Sequence, residues 1–327
     1  MDLARIAKTR LGAQLAFALA RRLPQRTAYA LGDRLFGRIA RRPDLPFVRG
    51  VRANLAVVHD LPVDHRDLDR VVLRLFQHTS RGYIDFVRAA SRGGVAVAAR
   101  CRLSPSLYAL LEQAAISERG LVVVGAHSCS FDFMLIALSQ WCPDLLVLSQ
   151  AHPVGSSVLM NDLRRRLGLG LAPISPASLR DALARLRQGG IVGIAADVPV
   201  PDGEELTFFG RTACLPTGYA RLALSAGTDL IVGICHRAGE GRYEIIGERV
   251  SPLGSGRDRR QAAHAWAQES LRRLEGLLRR WPDEWLMPES IWDNASLRGA
   301  VPRPLPGAGA EMSRAGLTPN PGQGVSG

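Results

Sequence analysis

The sequence is poor in the residues that staple or metallate a protein. Only five cysteines occur in 327 residues (Cys101, Cys129, Cys142, Cys214 and Cys235), and no two form a CxxC pair. An odd, scattered set argues against a disulfide framework and fits a reducing cytoplasm. The seven histidines include no HExxH and no Cys/His cluster, so no metal is expected. No GxSxG elbow is present, which removes the usual signature of a serine hydrolase. No apolar run reaches the roughly 20 residues that span a bilayer. Residues 11–20 are too few, and 121–138 carry His127 and Asp132. No internal repeat is visible.

Acidic charge is also scarce: 30 Asp and Glu stand against 42 Lys and Arg, a formal net charge of +12. Residues 1–42 hold a net +8 of that excess, interleaved with Leu3, Ile6, Ala7, Leu11, Leu15 and Leu19. Spacings of three and four put these apolar residues on one helical face. A cationic amphipathic helix of this kind lies in a membrane interface and is drawn to anionic lipid. The plainer alternative is a helix that packs its apolar face on the domain and solvates its arginines. Residues 8–20 imitate a signal peptide, but Gln14 interrupts the apolar stretch and Arg21 and Arg22 follow at once. Nucleic acid is not an expected partner, because no recognised motif or basic–aromatic platform accompanies the charge.

Hydrophobic content of 46% and this length suffice for a large α/β domain. Residues 1–42 read as helices broken near Pro24, and 64–90 as a long helix. Ser104 and Pro105 open another helix as N-cap and first-turn proline. From 121 onward, strands expected at 121–125, 145–149, 191–196, 230–235 and 243–247 alternate with helices. The fold class is therefore α/β, with a largely parallel central sheet flanked by helices, behind an N-terminal amphipathic helical segment. Three parts are expected: basic amphipathic helices over 1–42, a catalytic domain over 43–300, and a disordered tail over 301–327 rich in Pro, Gly, Ala and Ser.

Chemistry concentrates in "VVVGAHSCSFDF", residues 122–133. An apolar strand ends at Gly125, and His127 and Asp132 follow. On one continuous helix, residues five apart point roughly 140° from each other. The two side chains meet only if His127 lies in the turn and Asp132 in the helix's first turn, with Ser128 or Ser130 as its cap. Open α/β sheets bind ligands at the carboxyl ends of their strands, where this turn lies. A carboxylate on one imidazole nitrogen leaves the other free as a base. With no enzyme nucleophile, that base would activate a substrate hydroxyl for acyl transfer. The spacing alone is a weak signal and favours an ordinary loop histidine and a helix-capping aspartate.

A strand followed by H-x4-D resembles the motif of the glycerolipid and lysophospholipid acyltransferase superfamily. Further segments resemble its bacterial lipid A biosynthesis acyltransferase branch: "NLAVV" at 54–58, "RRRLGLGLAPI" at 164–174, "LRQGGIVGIAAD" at 186–197, the Phe-Phe-Gly segment within 205–234, and "WPDEWLMPESIW" at 281–292. This branch includes phosphatidylinositol mannoside acyltransferases. The resemblance implies a glycerolipid acyltransferase-like fold. It implies transfer of a fatty acyl chain from acyl-CoA or acyl carrier protein to a membrane glycolipid hydroxyl at the cytoplasmic face, with no cofactor beyond that donor. It implies His127 as general base, Asp132 as its partner and Glu205 as a further acid. Arg164, Asp197 and Arg211 would contact substrate, and a hydrophobic channel beside the pair would hold the acyl chain. The D-x-D expected after the third of these strands is incomplete, reading Asp197-Val198-Pro199. That departure leaves a catalytically altered lipid-binding relative as the alternative.

Overall fold

The computed structural model describes residues 10–150, 156–252 and 258–292. The tail expected over 301–327 and the start of the basic segment lie outside these residues. Four helices come first: α1 (Arg10–Arg22), α2 (Gln25–Ala40), α3 (Pro46–Val58) and α4 (Arg66–Ala90). Pro24 separates α1 from α2, because proline favours a helix start and not its continuation. The short α5 (Gly94–Ala98) leads into β1 (Cys101–Leu103) and α6 (Pro105–Ile116). The Ser104 side chain accepts the Leu107 N–H there, as its N-cap position requires.

The alternating part follows: β2 (Leu121–Gly125), α7 (Phe131–Trp141), β3 (Leu145–Ser149), α8 (Ser156–Arg166), β4 (Gly170–Pro173), α9 (Pro176–Arg187) and β5 (Ile191–Ala195). A hairpin of β6 (Glu204–Phe208) and β7 (Arg211–Leu215) precedes α10 (Gly218–Ala226), β8 (Asp229–Gly239), β9 (Arg242–Val250) and α11 (Arg259–Arg280). A 3-10 turn, Pro282–Glu284, follows α11.

Seven strands form one sheet in the order β1-β9-β8-β2-β5-β3-β4. Every neighbouring pair is parallel except β8 with β9. β2 is central and wholly buried. Leu121 and Val123 join one core with α7, while Val122 and Val124 join another with α10 and α11. Burial on both faces is why the strand reads as a continuous apolar run.

The sequence reading missed β1, β4, β6 and β7. β1 has three residues, and β4 is a partly exposed edge containing Gly170 and Pro173. The β6–β7 hairpin turns through Phe209 (φ 51°) and Gly210 (φ 73°). Two left-handed residues are what a tight hairpin requires. Phe209 holds this costly conformation by packing its ring on Trp285, beside Trp292 and under the Arg279 guanidinium.

Candidate active site

The site grows from strand register. β2 and β5 are parallel neighbours, with Gly125 opposite Ala195. One step on, the Ala196 N–H donates to the Gly125 carbonyl at 3.0 Å. The next residues, His127 and Asp197, therefore emerge side by side at the carboxyl ends of the two strands. His127 Nδ1 lies 2.8 Å from Asp197 Oδ1, and the His127 backbone N–H donates to Asp197 Oδ2 at 2.7 Å. The Trp285 indole N–H donates to the same Oδ2 at 2.9 Å.

Asp197 is fully buried. Burial opposes its charge, but the His127 imidazole and the three donated hydrogen bonds overcome this and hold its pKa below the usual carboxylate value. An ionised Asp197 can only accept, so Nδ1 carries the proton and Nε2 the lone pair. Burial likewise works against imidazolium at His127, yet the Asp197 charge and hydrogen bond outweigh it and raise the histidine's pKa. The ring is not sealed in: 34% of its side-chain surface remains exposed.

Asp132, expected to hold His127, is committed elsewhere. It sits in the first turn of α7, buried, and accepts from Arg164 Nε at 2.7 Å. Arg164, at the end of α8, also donates to Asn161 at 2.6 Å. Its guanidinium lies over the Phe131 ring, whose edge meets His127. The ion pair is the reason for the difference. A carboxylate at a helix N-terminus is already stabilised, and a bonded guanidinium takes it over from an imidazole. The expected serine cap is also absent: Ser130 occupies the N-cap without a side-chain bond, and the Ser128 hydroxyl is buried without a partner.

The other expected residues divide. Asp197 was expected to contact substrate, but its burial and its bonds to His127 and Trp285 leave no face for a head group. Pro199, where a second acid was sought, is itself buried. Glu205 is exposed on β6, its side chain on the hairpin's outward face, opposite buried Leu206 and Phe208. Arg211 is exposed just past the hairpin turn. The hydrogen bonds described at Asp197 come from His127 and Trp285.

The closing tryptophan motif is a structural part of the site that sequence reasoning left between core and membrane roles. Its backbone runs beside the His127 turn as a short antiparallel bridge, Ser128 with Trp285. The Leu286 N–H donates to the His127 carbonyl at 2.8 Å, and the Cys129 N–H to the Glu284 carbonyl at 2.7 Å. Trp285, Trp292, Phe208 and Phe209 form one aromatic cluster beneath it. Among the described residues, no group of His, Cys, Asp and Glu could hold a metal ion.

No curated protein matches the chain. Among solved structures, the 1-acyl-sn-glycerophosphate (LPA) acyltransferase PlsC from Thermotoga maritima is similar over 79% of this chain and 99% of that one. That similarity has 13% identity and a TM-score of 0.36. The model of the bacterial lipid A biosynthesis acyltransferases matches residues 2–292, a span that includes all five motifs and the His127 turn. The chain belongs to that family and is a lipid acyltransferase.

Proposed function

We propose that this acyltransferase moves a fatty acyl chain from acyl-CoA or acyl carrier protein to a hydroxyl of a membrane glycolipid, of the lipid A or phosphatidylinositol mannoside type. The reaction takes place at the cytoplasmic face of the membrane. The observation that carries the mechanism is the 2.8 Å contact between His127 Nδ1 and a fully buried carboxylate, with the ring one-third exposed. His127 Nε2 takes the proton of the acceptor hydroxyl as its oxygen attacks the thioester carbonyl. Asp197 stabilises the imidazolium that forms. The tetrahedral oxyanion then expels the thiolate, which recovers the proton from His127, leaving an ester and a free thiol. No enzyme ester intervenes. Arg164 adds positive potential where negative charge develops, since its charge already acts on His127. Asp132 serves this scheme by fixing Arg164.

Purified protein, labelled palmitoyl-CoA and a bacterial glycolipid extract test the reading. His127→Ala should lower transfer by about 10²- to 10⁴-fold, the usual worth of a general base. Undiminished transfer would remove His127 from the mechanism. Absence of transfer by the unaltered protein with either donor, alongside retained lipid binding, would favour the non-catalytic relative. Loss of one acyl chain from one glycolipid class in a deletion strain would identify the acceptor.

A further inference from the structure

Glu284 touches neither His127 nor Asp197, yet its surroundings converge on both. Its side chain is buried and accepts the Arg237 backbone N–H with both oxygens, at 3.1 and 3.0 Å. Arg237 lies near the end of β8, where the sheet register shifts between Arg237 and Gly239. The carboxylate thus ties the 3-10 turn to an irregular strand end that β9 no longer pairs regularly. Its main chain holds the catalytic turn through Cys129, and the next two residues hold Asp197 and the His127 carbonyl.

We propose that Glu284 is a positioning residue for the His127–Asp197 pair, fixing the Glu284–Leu286 backbone against β8 so that Trp285 and Leu286 hold the two side chains in register. The inference rests on the reading of His127 as the base. It also makes the anchor sensitive to pH. The carboxylate borders a cavity of about 430 Å³ lined by Tyr29, His78, Arg81, Arg237, Gly239 and Glu240. Burial raises the pKa of Glu284 to about 7, helped by the nearby Asp283 charge and opposed by the N–H and the charge of Arg237. Other charged and titratable groups also face the anchor: Asp283, Asp85, Arg237, Glu240 and His236 beside those of the cavity, and burial keeps His236 below the ordinary histidine value. Arg81 is paired with Asp33, burial keeps His78 below the ordinary histidine value, and burial and Asp85 raise Tyr29 to about 12. Among these groups, Glu284 is the carboxylate that burial raises toward neutrality. Protonation turns one acceptor oxygen into a hydroxyl and weakens the hold on Arg237.

The Trp285 indole N–H reports the position of this segment without any substrate. In nitrogen-15 spectra its resonance should shift with a midpoint near pH 7, and this step should persist in His127→Ala, which removes the imidazole as a source. Glu284→Gln should abolish the step and displace the His127 ring titration, with an unchanged circular dichroism spectrum. A Trp285 resonance flat through neutrality in His127→Ala would overturn the proposal, and that variant leaves Glu284 intact even if the glutamine protein fails to fold. So would identical Trp285 and His127 titrations in folded Glu284→Gln. Neither readout depends on transfer, so a failed acyltransfer assay and a failed anchor are separately visible.

Discussion

Asp197 and Asp132 differ by what they bond, and the difference yields two expected outcomes. Asp197→Asn keeps the shape but replaces an acceptor oxygen by an amide, so it no longer stabilises imidazolium. Acyl transfer should fall by about 10²-fold or more, the scale of lost general-base assistance. Asp132→Asn leaves the His127–Asp197 bonds in place and releases Arg164, so its loss should be smaller. Equal losses would mean that Asp197 is not the operative partner. The pH dependence follows from the raised pKa of His127. The base must be neutral, so activity should rise with pH through a midpoint above the ordinary histidine value. In Asp197→Asn that midpoint should move down, since the charge that raised it is gone. A rate profile with an unmoved acidic limb would contradict this. Stability carries the opposite sign: the attraction between imidazolium and Asp197 is fully present below the unfolded histidine pKa and is lost as pH rises through the folded one.

At the scale of elements, two motifs joined by bonds spanning 233 to 237 residues of chain turn out to be one structure. Asn54, on α3, is buried and donates to the Met287 and Glu289 carbonyls while accepting the Ile291 N–H. A Cβ added at Gly50, one turn earlier, would lie 1.9 Å from the Pro288 carbonyl oxygen. The helix and the closing segment pack so tightly that glycine is the residue that fits. Asn54→Ala should cost about 2–4 kcal/mol, because three hydrogen bonds are lost and their buried partners remain. The urea midpoint should fall with an unchanged slope; an unchanged midpoint would mean the asparagine contributes nothing net. Both "NLAVV" and "WPDEWLMPESIW" are legible as motifs in the sequence. That one clamps the other, and that together they support the His127 turn, is a matter of contact between distant segments, which no local pattern carries.

At the scale of the whole molecule, the described part of the basic segment packs on the domain through one face of α2. α2 packs closely on α4, where a Cβ at Gly32 would collide with Ser80. The Tyr29 and Tyr243 hydroxyls both donate to buried Asp85, Arg81 pairs with Asp33, and Arg88 caps the end of α1 by donating to the Ala20 and Leu23 carbonyls. Ala28, Tyr29 and Gly37 of α2 are therefore buried on the domain, while Leu31 and the arginines Arg26, Arg34, Arg38, Arg41 and Arg42 are exposed. No helix among the described residues is long and apolar enough to cross a membrane. We expect attachment by charge: the protein should float with vesicles containing phosphatidylglycerol at low salt and be released as the salt is raised. Equal flotation with neutral phosphatidylcholine vesicles, insensitive to salt, would instead indicate apolar insertion.

Local and ordered features were enough to establish the α/β class, the long helices, the proline break, the Ser104 cap and the place of His127 at a strand end. Each depends on residues within a few positions of one another, or on the order of motifs along the chain. The short strands β1 and β4 and the β6–β7 hairpin escaped, since edge strands and left-handed turns have weak periodicity. The partner of His127 was decided by tertiary structure alone. Asp132 is five residues away in sequence, and Asp197 is seventy. Parallel register between β2 and β5 brings the distant carboxylate beside the imidazole, while an arginine from α8 claims the near one.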